Sequence, residues 1–172
     1  MPSRAVALLA LLTLCASVQA EEQVPRTIDV SGALPRSASL GQPELNALGA
    51  TTGTWTLHGT KHQVTGVRLD KVLTHLGFTP GPMGKDVPVS VKRAGFRKVV
   101  VATARDGFQA VFTVAECFQG MGPGEVLVVW AVDGKPLAPA DGPLRLAVLT
   151  DAEPSRSLRQ LKKLEIVDVV AR

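Results

Sequence analysis

At 172 residues, 45% of them hydrophobic, the chain is long enough to bury one core and too apolar for a disordered class. Lys and Arg number 19 against 15 Asp and Glu, a formal charge of +4, and aromatic residues make up 4% with no Tyr among them. That basic excess is too small for a polybasic surface and the aromatic share too low for base-stacking platforms, so nucleic acid is not an expected partner.

The first twenty residues read as a signal peptide. Arg4 supplies a positive start, Ala5 to Cys15 is an apolar run too short to span a bilayer, and Val18-Gln19-Ala20 suits cleavage after Ala20. The expected location is therefore periplasmic or secreted, with no membrane span. Lipidation at Cys15 is the alternative, but Leu12-Thr13-Leu14 lacks the small residues such a box needs. Cleavage leaves Cys117 as a lone thiol, so no intramolecular disulfide is expected in an oxidising compartment.

Residues 21–50 read as an N-terminal extension. It holds a strand at Thr27–Val30 and a short helix at Gln42–Leu48, with Pro43 in its first turn. A single domain follows over 51–172. Thr51–Thr65 predicts a strand pair turning at His58-Gly59-Thr60-Lys61. Gly66–Gly77 predicts a helix, because Leu69, Val72, Leu73 and Leu76 make one apolar stripe and Gly77 ends it. Thr79–Lys85 is a loop by composition, and strands are expected at Val87–Lys92 and Lys98–Thr103. After the Arg105-Asp106-Gly107 turn, Phe108, Ala110 and Phe112 alternate with Gln109, Val111 and Thr113, as a half-buried strand does. Thr113 caps a short helix through Cys117, with Glu116 in the reciprocal capping position. Glu125–Val132 is almost wholly apolar and predicts a strand buried on both faces. Strands at Leu144–Leu149 and Leu164–Val170 complete the chain. Many short strands with few short helices predict an α+β fold, a mostly β mixed-sheet domain.

The residues with chemical potential cluster late in the chain. In Asp141-Gly142-Pro143-Leu144-Arg145-Leu146, alternation puts Leu144, Leu146 and Val148 on one strand face and Arg145 on the other, beside Ala147. Arg145 can grip an anion with two parallel bonds, or simply pair with Asp141 to fix the loop. Ser155-Arg156-Ser157-Leu158-Arg159 offers hydroxyls, backbone N–H groups and two guanidinium groups, either as an anion cradle or as a solvated basic face. His58 and His62 sit on a hairpin, where their spacing does not make a common metal-binding face, so both read as surface or structural residues and no metal ligand is expected. Cys117 beside Glu116 reads as a buried, inert thiol.

Taken together, five blocks resemble the sulfite-oxidase-type molybdopterin-binding domain: Val64–Leu73, Arg105–Phe112, Asp133–Leu137, Asp141–Leu146 and Ser155–Leu161, in that family's order. The resemblance implies the family's largely β architecture and a pocket for molybdopterin. Position by position it implies cofactor contacts from Asp141 and Arg145, and a phosphate-holding turn at Arg156, Ser157 and Leu158. The expected groove lies between Arg145, Arg156 and His58. The chain departs from the family where the enzymes carry a metal-binding Cys: Thr56-Leu57-His58-Gly59-Thr60-Lys61 has none, and an imidazole is not a simple substitute for a soft thiolate. The sequence therefore favours a binding domain for a pterin-like or other anionic small molecule, or for a protein partner, without redox catalysis. A molybdenum-cofactor-dependent oxidoreductase is the alternative.

Overall fold

The computed structural model describes residues 25–81 and 85–169; the leader, Cys15 included, lies outside them. In chain order the elements are β1 (Thr27–Gly32), β2 (Ala38–Gly41), α1 (Gln42–Ala47), β3 (Thr51–Leu57), β4 (Thr60–Arg68), α2 (Leu69–His75), α3 (Val89–Phe96), β5 (Lys98–Ala104), β6 (Gln109–Thr113), α4 (Val114–Cys117), β7 (Val126–Val132), β8 (Lys135–Pro136), β9 (Arg145–Val148) and β10 (Leu161–Asp168), with a 3-10 turn at Pro154–Arg156. The architecture is the expected mostly β, mixed-sheet fold. No helix among the described residues is long and apolar enough to cross a membrane.

Two five-stranded sheets carry the structure. The first runs β2-β1-β10-β5-β6, and the second β3-β4-β7-β8 with β9 also paired to β7. Among the described strands only β1 and β10 pair in parallel, and β1 also pairs with β2, so residues 27–41, read from sequence as part of an extension, contribute two strands to the first sheet.

The main core fills the space between the sheets. Ile28, Val30, Val100, Phe112, Leu164 and Ile166 from the first sheet meet Val128, Leu146 and Val148 from the second. The stripe on α2 packs into this core, with Leu69, Val72 and Leu73 fully buried. The second sheet also buries its other face. Trp55, Val64, Leu127, Val129 and Ala147 form a separate cluster there. Strand β7 feeds both layers, Val126, Val128 and Trp130 to the main core and Leu127 and Val129 to the other, which is why its sequence is apolar without alternation.

Three local expectations change. The helix expected from Gly66 begins only at Leu69, because β4 continues to Arg68 along β7. Gly66 belongs to that pairing: a Cβ there would lie 2.3 Å from the Val128 carbonyl oxygen, so only glycine permits the approach. The segment expected as a strand at Val87–Lys92 enters helix α3 at Val89. Its valine alternation imitates a strand, but Val89 is exposed and Pro88 has no N–H to give a ladder, whereas a proline beside the first helical turn costs nothing. Strand β10 starts at Leu161 and not at Leu164, with a register shift between Leu161 and Lys163 that breaks the period of two. Short β2, only four residues, carries too little pattern to be seen in sequence.

Candidate ligand site

Strand β9 places Arg145. It pairs with β7 so that Arg145 lies opposite Val129 and Leu146 opposite Val128. Alternation sends Leu146 and Val148 into the main core, while Ala147 packs beneath the second face. Arg145 lies on that second face with its guanidinium carbon 4.5 Å from the centre of the Trp55 ring. A guanidinium over an indole is a favourable cation–π arrangement, the stronger for being out of water. Only 5% of Arg145 is exposed.

Its charge is poorly answered. One terminal nitrogen donates to Asp141 Oδ1 at 3.4 Å, and Nε has no partner. The same Asp141 oxygen also faces Arg159 Nε at 3.1 Å, so two guanidinium groups share one carboxylate. Burial lowers the Arg145 pKa, Asp141 opposes that shift and Arg159 adds to it. Trp55 Nε1 is a second buried donor without a partner. Both side chains line a cavity of about 150 Å³, walled further by Leu57, His62, Leu137 and Asp141. An apolar wall with unpaired donors suits an acceptor-rich, flat ligand.

His62, read from sequence as a surface or structural residue, also lines this cavity. The β3–β4 register sets it directly across from Trp55, within side-chain contact range of the ring that carries Arg145. Asp133 fixes it: Oδ2 lies 2.7 Å from His62 Nδ1, while Oδ1 accepts the Gln63 N–H at 2.9 Å. Those bonds, the one with His62 foremost, hold the Asp133 carboxyl below its usual range. Asp133 and Gly134 both take positive φ, 50° and 73°, in the two-residue turn between β7 and β8. The Asp-Gly pair was the available signal, since it fixes a turn that projects its carboxylate over the neighbouring strand.

The other sequence-nominated residues are placed elsewhere. His58 is exposed in the β3–β4 turn, at φ 49°, between the lining residues Leu57 and His62. Arg156 is taken up by carboxylates. Its Nε and one terminal nitrogen meet Asp151 at 2.9 and 2.7 Å, its other terminal nitrogen meets Glu116 at 2.8 Å, and its guanidinium carbon is 5.3 Å from the Phe112 ring centre. The bonds to Asp151 and then Glu116 raise its pKa. Burial pushes Glu116 up, but the bonds from Arg156 and Thr113 outweigh it and the net shift is down. Ser157 Oγ accepts the Val148 N–H at 3.1 Å. Leu158, buried in the main core, exchanges two backbone bonds of 2.9 Å with Leu146. The Arg156–Leu158 turn thus pairs with β9 through Leu146 and Val148, and Arg145 and Arg156 share no partner.

Cys117 is buried in the main core, where its S–H donates to the Thr113 carbonyl oxygen at 3.5 Å. Burial, then Glu116 and Asp70, push the thiol up to about 12. A larger cleft of about 390 Å³ borders Thr51, Arg68, Gln119 and Glu125, but Arg68 is held there by Asp70 at 3.1 and 2.6 Å, and none of the unpaired donors lines it.

Such a two-sheet domain, with an arginine set under a loop between β8 and β9, has known relatives. The family model described as "Oxidoreductase molybdopterin binding domain" matches residues 19–171, and the chain belongs to that family. Among solved structures it resembles the sulfane dehydrogenase SoxCD from Paracoccus pantotrophus, with a TM-score of 0.62 and 16% identity. The alignment covers 83% of this chain and 38% of that one, so this chain corresponds to well under half of that protein. Comparison with curated proteins finds no significant match.

The residues present do not fit the intact molybdenum cofactor of such a family. Among the described residues no soft thiolate ligand is offered, since Cys117 is buried in the core and its thiol is pushed up to about 12. Arg156 is occupied by two carboxylates of its own chain. The Arg145 cavity, about 150 Å³, is well below the roughly 300–1,000 Å³ usual for cofactor-sized ligands. Of the residues expected at the pocket, Arg145 and Asp141 line this cavity.

Proposed function

We propose that this domain is an exported, periplasmic or secreted binding module that holds a small, flat organic anion against Arg145, and that it does no molybdenum redox chemistry. The observation that carries the reading is the state of Arg145: 5% exposed, its Nε unpaired, and its one carboxylate shared with Arg159. An arginine stays charged when buried, so one lacking compensation is completed by an anion. The Trp55 ring and Leu57 and Leu137 supply the apolar walls a planar body requires, and the cavity suits a ligand smaller than a complete pterin cofactor.

The test is thermal unfolding of the purified protein with benzoate, inorganic phosphate and chloride. Benzoate is expected to raise Tm in a saturable way and chloride is not; an Arg145→Met variant is expected to lose the benzoate effect. Equal shifts with all three salts, or a benzoate effect that survives Arg145→Met, would sink the reading.

Family membership favours a second reading, a molybdenum-cofactor-dependent oxidoreductase whose metal has no thiolate from this chain. Protein expressed with an active cofactor supply would then contain molybdenum in stoichiometric amount and yield a fluorescent pterin on oxidation. The binding-module reading expects neither.

A further inference from the structure

We propose that the His62–Asp133 pair supplies a second, proton-dependent anion position at the mouth of the Arg145 cavity, so that the preferred ligand is a small planar dianion and not a monoanion. The proposal rests on the reading of Arg145 as an anion contact and goes beyond it by assigning the ligand's other end. Three observations meet at this point.

His62 lines the same cavity as Arg145. The register between β3 and β4 puts it opposite Trp55, whose ring lies under the Arg145 guanidinium. And Asp133, 2.7 Å away, occupies Nδ1, which orients the imidazole and leaves Nε2 as its free polar atom. The side chain of His62 is 27% exposed, open enough to exchange a proton and close enough to the cavity to bear on its contents.

The charges around the imidazole come from every neighbouring element. Asp133 is in contact, and Lys135 on β8 stands behind it, bearing on the same carboxylate. Across the cavity are Asp141 and Arg145, with Arg159 on Asp141. Cross-strand Trp55 and neighbouring Leu57 on β3 carry no charge. The cationic imidazole therefore has one carboxylate that orients it, and a flat ligand held at one end by Arg145 would bring a second anionic group to Nε2.

The direction follows from linkage. An anion beside the imidazole favours its protonated form, so binding takes up a proton wherever the free imidazole is neutral. Affinity for a dianion is then higher at low pH than at high pH. A monoanion spent on Arg145 lacks this dependence.

Calorimetry with benzoate and isophthalate at pH 6 and pH 8, each in buffers of different ionisation enthalpy, tests both layers. Isophthalate should bind more tightly than benzoate at pH 6, lose about tenfold by pH 8, as the loss of one close charge contact would give, and take up a proton on binding. Benzoate should change little over the same range. His62→Gln should abolish the proton uptake and the pH dependence of isophthalate together. Asp133→Asn, which keeps an acceptor for Gln63 but no longer supports the imidazolium, should move the fall in isophthalate affinity to lower pH. Benzoate binding with isophthalate no tighter, or pH dependence that survives His62→Gln, overturns the dianion proposal and leaves Arg145 standing. Failure of both probes at both pH values overturns the Arg145 reading and this proposal with it.

Discussion

Arg145 and Arg156 lie eleven residues apart in the chain, and either could pass for the anion contact of the domain. Their surroundings reverse the expectation that exposure means availability. The Arg145 side chain is 7% exposed and has one shared, long ion pair; that of Arg156 is 39% exposed and is held by three short bonds to two carboxylates. The difference is one of compensation. A guanidinium already surrounded by carboxylate oxygens gains little from a further anion, whereas one buried with an orphaned donor gains much. Arg145 therefore reads as a ligand contact, and Arg156 as the rivet between the loop after β9 and helix α4.

The largest expected effect is at the ring beneath Arg145. Trp55→Ala should cost about 3–5 kcal/mol by urea denaturation, the range for deleting a large buried aromatic. It would also let water reach Arg145. Trp55→Phe keeps most of the apolar body and should recover most of the stability. If Trp55→Ala proves nearly neutral, the second face of that sheet is not a packed layer and the burial of Arg145 loses its meaning.

Next in size is Arg156→Met. It strands Asp151 and Glu116 without their cation and should cost about 1–3 kcal/mol, the usual penalty for unpaired, partly buried acceptors. Benzoate binding should be untouched. Arg145→Met should do the reverse: stability within about 1 kcal/mol of the parent, since an apolar side chain replaces an under-paired buried charge, with anion binding lost. Identical behaviour of the two variants would erase the distinction.

Much of this contrast is legible in the sequence. Alternation around Leu144, Leu146 and Val148 puts Arg145 on the opposite face, and the apolar run Val126–Val132 requires two buried faces. The Thr113–Glu116 spacing announces a capping box, which the structure contains: Thr113 Oγ1 accepts the Glu116 N–H at 3.3 Å and Glu116 Oε2 accepts the Thr113 N–H at 2.8 Å. What sequence does not show is long-range pairing. Nothing local says that Glu116 reaches Arg156, forty residues away, or that Asp133 crosses to His62, seventy-one away. Both contacts are set by strand order and register, and the register shifts beside Gly66 and Leu161 hide that order from periodicity. The helix at Val89–Phe96 is obscured for a related reason: its valines alternate like a strand's, although Val89 is exposed.

The smallest predicted effect tests whether Arg156 is held as described. Glu116 ionises below its ordinary value of 4.5 because the bonds from Arg156 and Thr113 overcome the opposing pull of burial. A carboxyl whose folded pKa is depressed contributes stability above its unfolded pKa and loses that contribution as pH falls through the folded one. The parent protein should therefore lose part of its urea midpoint below about pH 4.5, and Glu116→Gln should flatten that loss while lowering stability at pH 7. The pair is a third exposed, so solvent screening keeps the difference to about 1 kcal/mol or less. Arg156→Met should flatten the same stretch of the curve, because without the guanidinium most of the reason for the depression is gone. Arg145→Met should leave it unchanged, since no carboxylate that Arg145 meets takes part in the Glu116 network. A parallel loss in all three variants would mean that the two arginines belong to one electrostatic unit after all, and that the anion site has to be sought across the whole of β9.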